Sequence, residues 1–307
     1  MKPVTVIFNP AAGRGKARRL EATLRKMLDD ERCLYSFERT EGPGHATELA
    51  EKARHASGLI IAAGGDGTAH EIAVSLIESA TPLGVLPIGS GNDLARVGGS
   101  SKDLRANLRG LLQGEERAID VGRVHAQANG SVKEHSIVFI NSLGIGFAAI
   151  VANESRRIRW VRGLPLYVIA LLNAVRKLGS YDFELTLDGE RRTRRLGLLS
   201  VGNSPYEGGG FLVNPHAIPD DGIFDICTID EATRGRVLRL FPKVITGEHG
   251  RQREVQFARA KQIIIRSDTP FGAHADGEIV GMDFFEMKVE ILPRALSLRT
   301  IRTPTSP

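Results

Sequence analysis

The chain has 307 residues, of which 42% are apolar and 25% are charged. This composition is typical of a globular protein and excludes a disordered chain, a coiled coil and a small disulfide-stapled domain. The net charge of +5 is consistent with anionic partners but selects none, and at roughly 150 residues per domain the length predicts two domains.

The N-terminal part of the chain alternates short β-branched runs with longer helical periods, which is the pattern of a parallel α/β sheet. The predicted elements are strands at Val4 to Phe8, Leu34 to Arg39, Gly58 to Ala63 and Pro82 to Ile88, and helices at Gly15 to Asp29, Ala46 to His55 and Ala69 to Ser79. A further helix is expected after the last of these strands. Three of the strands run into a glycine-rich loop that opens a helix.

Beyond Asp120 to Arg123 the pattern changes to short strands with a period of two, and only one or two helices are predicted. Turn signals of the hairpin type occur at Asn129-Gly130, Asp188-Gly189, Asp221-Gly222 and Asp276-Gly277. The sequence therefore predicts an α/β domain over residues 1–122 and an antiparallel, β-rich domain over residues 123–294, with a frayed tail from Thr303 to Pro307.

The two cysteines and the lengths of the apolar runs indicate in which cellular compartment the protein is expected. Neither Cys33 nor Cys227 stands in a CxxC or Cys/His pattern, so we expect a reducing compartment and no structural zinc. The N-terminal apolar run is too short for a signal peptide. The longest apolar stretch, Leu164 to Val175, is shorter than the roughly 20 residues that a spanning helix needs. We therefore expect a cytoplasmic protein, free or peripherally attached to a membrane.

Glycine is over-represented, at 34 of 307 residues, which indicates loops that need positive φ or close backbone approach. Parallel α/β sheets bind ligands beyond the carboxyl ends of their strands. Three glycine loops lie there, at residues 8–16, 64–68 and 88–96, and loops of this kind at helix N-termini suit a phosphate chain. One such turn is more often a tight connection, but three in one domain favour a nucleotide. None of them is a Walker A motif.

Polar side chains in these loops are candidate ligand-binding groups. Asp66 is placed to reach Mg2+ directly or through water. Thr68 can cap a helix and donate to phosphate, Asn92 can bind phosphate or sugar, and Asp93 can cap the following helix or orient a partner.

The three loops, in this order and spacing, resemble the diacylglycerol kinase catalytic-domain family, which includes soluble bacterial lipid kinases, sphingosine kinases and ceramide kinase. The GGDGT run from Gly64 to Thr68 is also similar in NAD kinases and related in phosphofructokinases, whereas the GSGND run from Gly89 to Asp93 narrows the resemblance to lipid kinases. The resemblance continues over nearly the whole chain. The matching later segments are Phe139 to Phe147, Gly202-Asn203, Gly208 to Gly210, Pro215 with Ala217, Asp221-Gly222 and His274 to Glu278.

This resemblance implies a two-domain α/β fold. The N-terminal domain would be a three-layer α/β nucleotide-binding domain, similar to phosphofructokinase and NAD kinase, and the C-terminal domain would be β-sandwich-like. The active site would lie in the cleft between the two domains. A strand within residues 295–303 would return to the first domain.

The resemblance also implies the ATP-binding residues. These are Asn9, Pro10, Ala11, Ala12, Gly13, Thr40, Gly64, Gly65, Asp66, Gly67, Thr68, Ala69, His70, Glu71, Gly89, Ser90, Gly91, Asn92 and Asp93. The family often has Asn at the position of His70, which is either a tolerated variant or a changed phosphate contact.

Phosphoryl transfer needs a carboxylate to accept the proton of the attacking hydroxyl. Read alone, Asp276-Gly277-Glu278 is an ordinary hairpin turn, but the resemblance implies that Asp276 or Glu278 is the general base, with Asp66 as a further catalytic carboxylate. It also implies a Mg2+ site in the second domain, formed by Asp221 with the carbonyls of Ile218 and Ile223. The alternative for Asp221 is a plain β-turn.

Basic and apolar residues near the middle of the chain bear on partners. Arg156 to Arg162, with Trp160, suits the surface of an anionic membrane. For the following Leu164 to Leu172 we favour a core helix over a membrane-facing one. Arg191, Arg192, Arg194 and Arg195 form a second basic cluster. No nucleic-acid motif is present, and whether the chain forms a homodimer is left open.

The leading hypothesis is an ATP- and Mg2+-dependent lipid kinase that acts at the membrane surface on diacylglycerol or a related lipid alcohol. One alternative is an NAD kinase-like phosphotransferase, which the GSGND loop and the Asp221 to Asp225 segment fit poorly. The other is a catalytically silent nucleotide- or lipid-binding protein, against which the intact Asp66, Asp276 and Glu278 argue.

Overall fold

The computed structural model describes residues 2–128, 135–158, 160–161 and 164–301. The chain divides into two compact units: unit 1 is Met1–Ile119 with Arg294–Pro307, and unit 2 is Asp120–Pro293. The predicted turn at Asn129-Gly130 and the predicted tail from Thr303 lie outside the described residues.

Unit 1 is built from alternating strands and helices. In chain order they are β1 (Val4–Phe8), α1 (Glu21–Asp30), β2 (Tyr35–Arg39), α2 (His45–Ala53), β3 (Leu59–Gly64), α3 (Asp66–Leu76), β4 (Leu83–Pro87), α4 (Asp93–Val97) and α5 (Leu104–Gln113). The strands form a parallel sheet in the order β4-β3-β1-β2. Near the C-terminus, Leu298 pairs in parallel with Leu83 of β4.

Helices cover both faces of this sheet, as its strands require. Every residue of β3, with the sequence LIIAAG, is buried, which is expected for a parallel strand between two helical layers. Leu24 of α1 and Leu108 of α5 pack with Val6 and Ile61 in one core, while α2 and α3 contact each other and β1 or β3. The predicted three-layer α/β fold is confirmed.

Two helix starts differ from the sequence prediction. α1 begins at Glu21 rather than Gly15, because Gly15 has φ +82° and starts only a short 3-10 turn, Lys16–Arg19. α3 begins at Asp66 rather than Ala69, since Gly65 occupies its N-cap position. The GDGT segment therefore forms the first turn of a helix, not a loop before one.

The remaining elements follow in chain order. They are β5 (Glu115–Ala128), β6 (His135–Phe139), β7 (Ser142–Gly146), α6 (Phe147–Arg157), α7 (Leu164–Ala174), β8 (Tyr181–Leu187), β9 (Glu190–Gly202), β10 (Tyr206–Glu207), β11 (Phe211–Leu212), β12 (Phe224–Asp230), α8 (Arg234–Thr246), β13 (Val255–Ala260), β14 (Gln262–Ala275) and β15 (Glu278–Thr300).

Antiparallel pairing dominates unit 2, in agreement with the predicted β-sandwich-like domain. β9 pairs with β7, β8 and β12, and β14 pairs with β7, β8 and β15. Their inward side chains form one large core that includes Phe139, Phe183, Phe224 and Phe271. Alternation of buried and exposed residues along β8 matches the period of a strand with one solvated face.

Two predictions for unit 2 were wrong in detail. The described residues contain three α-helices here, not one or two, because α6 starts directly at the end of β7, where Gly146 has φ +71°. Asp221-Gly222 is not a hairpin turn. The Gly222 N–H donates to Asp120 at 2.8 Å, and β12 beyond it pairs with β9 and β13. Asp188-Gly189 and Asp276-Gly277 do connect paired strands.

α7 has a buried face and an exposed face that are both apolar. Leu166, Ala170 and Leu171 are buried, but the exposed fractions are 37% for Val168 and 48% for Leu172. The expected core helix is therefore only half correct. Among the described residues, no helix combines the length and the apolar character needed to cross a membrane.

Candidate active site

The three predicted glycine loops meet at one edge of the unit 1 sheet. Because β3 lies between β1 and β4, the loops that follow these strands are neighbours. Asn9, after β1, donates from its Nδ2 to the Oγ1 atom of Thr68 at 2.8 Å. Its backbone N–H donates to the carbonyl of Ala63 at the end of β3, at 3.0 Å.

Asp66 joins the loop after β3 to the loop after β4. Its Oδ2 accepts the backbone N–H of Asn92 at 2.6 Å, and its Oδ1 accepts that of Asp93 at 2.6 Å. Asn92, with φ +62°, holds the N-cap position of α4 without a side-chain cap. Its side chain instead bonds to the backbone N–H and carbonyl of Gly89. The predicted capping roles of Thr68 and Asp93 are therefore wrong, since Gly65 and Asn92 occupy those cap positions.

Two glycines of these loops, Gly89 and Gly13, stand where no side chain fits. A Cβ on Gly89 would overlap the Cα of Gly65, and one on Gly13 would lie 2.9 Å from the carbonyl oxygen of Ile88. The loops also surround the start of α3, where first-turn N–H groups have no intrahelical acceptor. A glycine-lined backbone at a helix N-terminus is the kind of structure that can accept a phosphate group.

Two of the predicted ATP-binding residues lie just outside these loops. Thr40 is buried, and its backbone N–H donates to the carbonyl of Phe8 at 2.9 Å. Glu71 accepts the backbone N–H of Ala46 at 3.2 Å, at the start of α2. The remaining predicted residues lie in the three loops or the first turns of α3 and α4: Pro10, Ala11, Ala12, Gly64, Gly67, Ala69, His70, Ser90 and Gly91.

In unit 2, the Asp276-Gly277 turn joins β14 to β15, with φ of +49° and +86° at its two residues. The Asp276 carboxylate accepts the backbone N–H groups of Ile140 and Asn141 at 2.8 Å each and of Ser142 at 3.0 Å. Three backbone donors orient this carboxylate, so Asp276 ties the turn to the segment between β6 and β7.

Glu278 is two residues further along, and its side chain is 59% exposed. It pairs with Arg156 of α6 at 2.7 Å, so this predicted membrane-patch residue contacts the candidate base instead. Arg157 pairs with Glu154 at 3.3 Å, and Trp160 is 78% exposed. Arg159 and Arg162 of the predicted patch lie outside the described residues.

A buried hydrogen-bonded pair that the sequence analysis missed lies beside the same turn. Glu207 Oε1 is 3.2 Å from Nε2 of His274, and their side chains are 10% and 3% exposed. Burial acts to raise the pKa of Glu207, but His274 and the hydroxyls of Ser200 and Ser142 outweigh it, so this pKa lies below its usual range. A carboxylate beside the Gly208 to Gly210 run was the available signal, although its partner is distant in sequence.

An apolar cavity opens beside this pair, entirely within unit 2. Its volume is about 160 Å³, and its apolar wall includes Phe147, Val151, Leu171, Leu198 and Phe241. The polar part of the wall includes Glu207, His274 and Gly277. The cavity is therefore mostly apolar and reaches the turn that carries the two candidate carboxylates.

The predicted Mg2+ site at Asp221 would rely on oxygen donors, which a hard cation prefers. Asp221 is joined by its Oδ1 to the backbone N–H of Ile223 at 3.2 Å, and its own N–H approaches the carbonyl of Ile218 at 3.5 Å. Its carboxylate also forms an ion pair with Arg259. No cluster of three or more acidic, His or Cys side chains suited to a metal occurs within the described ranges, so carbonyls would have to complete the site.

The second predicted basic cluster is neutralised by neighbouring carboxylates. Arg191 pairs with Glu184, Arg192 with Glu190, Arg194 with Asp230, and Arg195 with Asp182 and Glu231. These pairs make the β8–β9 hairpin a mixed-charge surface.

Comparisons with known proteins agree with this geometry. The family model described as the diacylglycerol kinase catalytic domain matches residues 3–124, and the YegS C-terminal NAD kinase beta sandwich-like domain matches residues 141–300. A diacylglycerol kinase of Mycobacterium tuberculosis is 32% identical over 279 residues, covering 90% of this chain and 88% of that protein.

Solved structures share the fold. One from Bacillus anthracis has a TM-score of 0.79 at 23% identity, covering 99% of this chain and 96% of that chain. Yeast NADH kinase has a TM-score of 0.54 at 11% identity, covering 98% and 84%. The two family matches and the mycobacterial relative together show that this chain belongs to the diacylglycerol kinase catalytic-domain family.

Proposed function

We propose that this lipid kinase transfers the γ-phosphate of ATP to the free hydroxyl of diacylglycerol or a closely related lipid alcohol, with Mg2+ and at a membrane surface. The glycine loops of unit 1 would hold the phosphate chain through backbone N–H groups. Mg2+ would supply neutralisation of the phosphate charge, and Asp66 is the loop carboxylate available to it, directly or through water. In unit 2, Asp221 with the carbonyls of Ile218 and Ile223 would hold a second Mg2+.

Glu278 is our proposed general base. Asp276 already accepts three backbone N–H groups, so its carboxylate oxygens are engaged in holding the turn. Glu278 is more exposed and has the side chain of Arg156 as its partner. Glu278 would accept the proton of the lipid hydroxyl as the hydroxyl oxygen attacks the γ-phosphorus and the bond from that phosphorus to the bridging oxygen of ADP breaks. ADP leaves, while Asp276 keeps the turn in place.

The lipid would lie with its apolar part in the unit 2 cavity. Gly277 is part of the cavity wall, so a lipid held there has its polar end near the turn that carries Glu278. The exposed side chains of Val168 and Leu172 lie four residues apart on one face of α7, and Arg176 is exposed just beyond. Apolar and basic side chains in this arrangement favour an anionic membrane surface.

The apolar cavity beside the Asp276 to Glu278 turn is the observation that carries the lipid assignment. The test is to incubate the purified chain with γ-labelled ATP, Mg2+ and a panel of lipids in mixed micelles, with NAD as a parallel acceptor. We expect label in diacylglycerol. Label in NAD and in no lipid would overturn the proposal, and label in nothing would favour a silent binding protein.

A cavity-filling variant tests the location of the lipid. Ala152 lines the cavity and is 7% exposed, so Ala152→Phe should place a ring in the space that an acyl chain would use. We expect this variant to raise KM, relative to the wild type, more for long-chain than for short-chain diacylglycerol. Ala80→Phe, at an exposed position of unit 1, is the matched control. Equal KM changes for both chain lengths would contradict the assignment.

A further inference from the structure

The buried Glu207–His274 pair lies between the cavity and the candidate catalytic turn. His274 pairs with Gly144 of β7 in the sheet register, and a Cβ on Gly144 would overlap the imidazole. The ring is therefore packed against bare backbone, where it has little freedom to move. An acid and an imidazole buried beside an apolar cavity cost desolvation energy, so their presence calls for a role.

Each ring nitrogen of His274 has one hydrogen-bond partner, and the two nitrogens have opposite roles. Nδ1 of His274 accepts the backbone N–H of Gly277 at 3.3 Å. An Nδ1 that accepts is unprotonated in a neutral imidazole, so the proton lies on Nε2 and is donated to Glu207 Oε1 at 3.2 Å. Glu207 Oε2 in turn accepts the Ser200 hydroxyl at 2.7 Å.

The same network reaches the turn from a second side. The Ser142 hydroxyl donates to Glu207, while the Ser142 backbone N–H donates to Asp276 at 3.0 Å. Both ends of the network therefore meet the Asp276-Gly277 turn, one through Gly277 and the other through Asp276.

We propose that Glu207 and His274 are positioning residues, which fix the Asp276 to Glu278 turn for proton transfer by holding His274 in its Nε2–H tautomer. This inference rests on the proposed role of Glu278. Since Glu207 and His274 also form part of the cavity wall, the acceptor lipid and the turn would contact the same imidazole. A misplacement of about 1 Å at a reacting group costs on the order of 100-fold in rate.

Two histidine replacements separate the two hydrogen bonds. Gln can imitate Nε2 of His274, and Asn can imitate Nδ1, which accepts from Gly277. Both should be made together with Glu207→Gln, so that no buried charge is left without its donor. We expect kcat for diolein to fall about 100-fold with His274→Gln. With His274→Asn the fall in kcat should be smaller, about tenfold or less. KM for ATP should change by less than about twofold in either variant.

The tautomer is read independently of activity, from the imidazole 15N shifts of the histidine-labelled full chain. We expect a protonated Nε2 and an unprotonated Nδ1 for His274, with exposed His216 as the reference. Equal kcat for the Gln and Asn variants at equal thermal stability, or a proton on Nδ1, would overturn the inference. Wild-type protein that labels no lipid would instead refute the proposed function, and the positioning role that rests on it would fall with it even if the 15N shifts show a protonated Nε2.

Discussion

The Oδ1 atom of Asp276 accepts the backbone N–H of Asn141 at 2.8 Å, across 135 positions of sequence. The contact fixes a turn at the end of β14 to the segment that enters β7. Its neighbours Ile140 and Ser142 donate to the same carboxylate. A charged side chain with this many backbone partners holds the turn in place.

Asp276→Asn should therefore lower mainly the stability of the fold, whereas Glu278→Gln should lower mainly the rate of turnover. Replacing Asp276 directs an amide NH2 at backbone donors, so unfolding stability should fall by about 1–3 kcal/mol. Glu278→Gln removes an exposed carboxylate and should leave stability nearly unchanged, but should lower kcat at least ~100-fold if Glu278 is the base. Thermal melting and turnover with diacylglycerol check both. Near-normal turnover in both variants would refute the assignment of the base to this turn.

Gly89→Ala should disrupt the nucleotide loops of unit 1. A Cβ at this position overlaps the Cα of Gly65, which is backbone and has nowhere to move cheaply. We expect a stability loss of about 1–3 kcal/mol and weaker ATP binding by calorimetry. Gly42→Ala is the matched control, because nothing lies within 4 Å of its Cβ position. If both variants bind ATP as the wild type does, the packed loops are not the ATP site.

The sequence was sufficient to predict the strands of unit 1 and the position of the glycine loops. Runs such as Leu59 to Ala63 are apolar at every position, which only a strand buried on both faces explains well. The bonds within the site were not predictable. The Asp66 contact with Asn92 depends on the register of β3 against β4, and Glu207 and His274 are 67 residues apart on different strands. The local sequence pattern does not show how two strands are aligned or which distant residues come into contact.

We expect the exposed apolar face of α7 to bring the protein to a membrane, in contrast to the core helix that the sequence favoured. Leu172 is 48% exposed on its outer face, and losing a leucine side chain from an apolar contact costs roughly 1.5 kcal/mol, about tenfold in affinity. Leu172→Gln should weaken sedimentation with phosphatidylglycerol vesicles by about that factor. Leu34→Gln is the control, because Leu34 is 72% exposed in unit 1. Equal weakening by both variants would remove α7 as the docking surface.

His249 should make unit 2 sensitive to mild acid. Its side chain is fully buried, and its Nε2 donates to the carbonyl of Val213 at 3.0 Å. Burial lowers the pKa of His249 and outweighs the neighbouring carbonyls of Val213 and Lys243, which favour the protonated ring. The unfolded chain takes up the proton near pH 6.5, whereas the folded chain does so only at lower pH. Between these values the unfolded state binds more protons.

The stability contributed by neutral His249 is therefore complete above about pH 6.5 and is lost as pH falls through the folded pKa, at up to ~1.4 kcal/mol per pH unit. We expect His249→Gln to reduce the loss of unfolding free energy between pH 7.5 and pH 5.5, measured by urea denaturation. His55→Gln, at an exposed position, should leave the wild-type slope unchanged. If both variants retain that slope, the acid sensitivity arises from other groups.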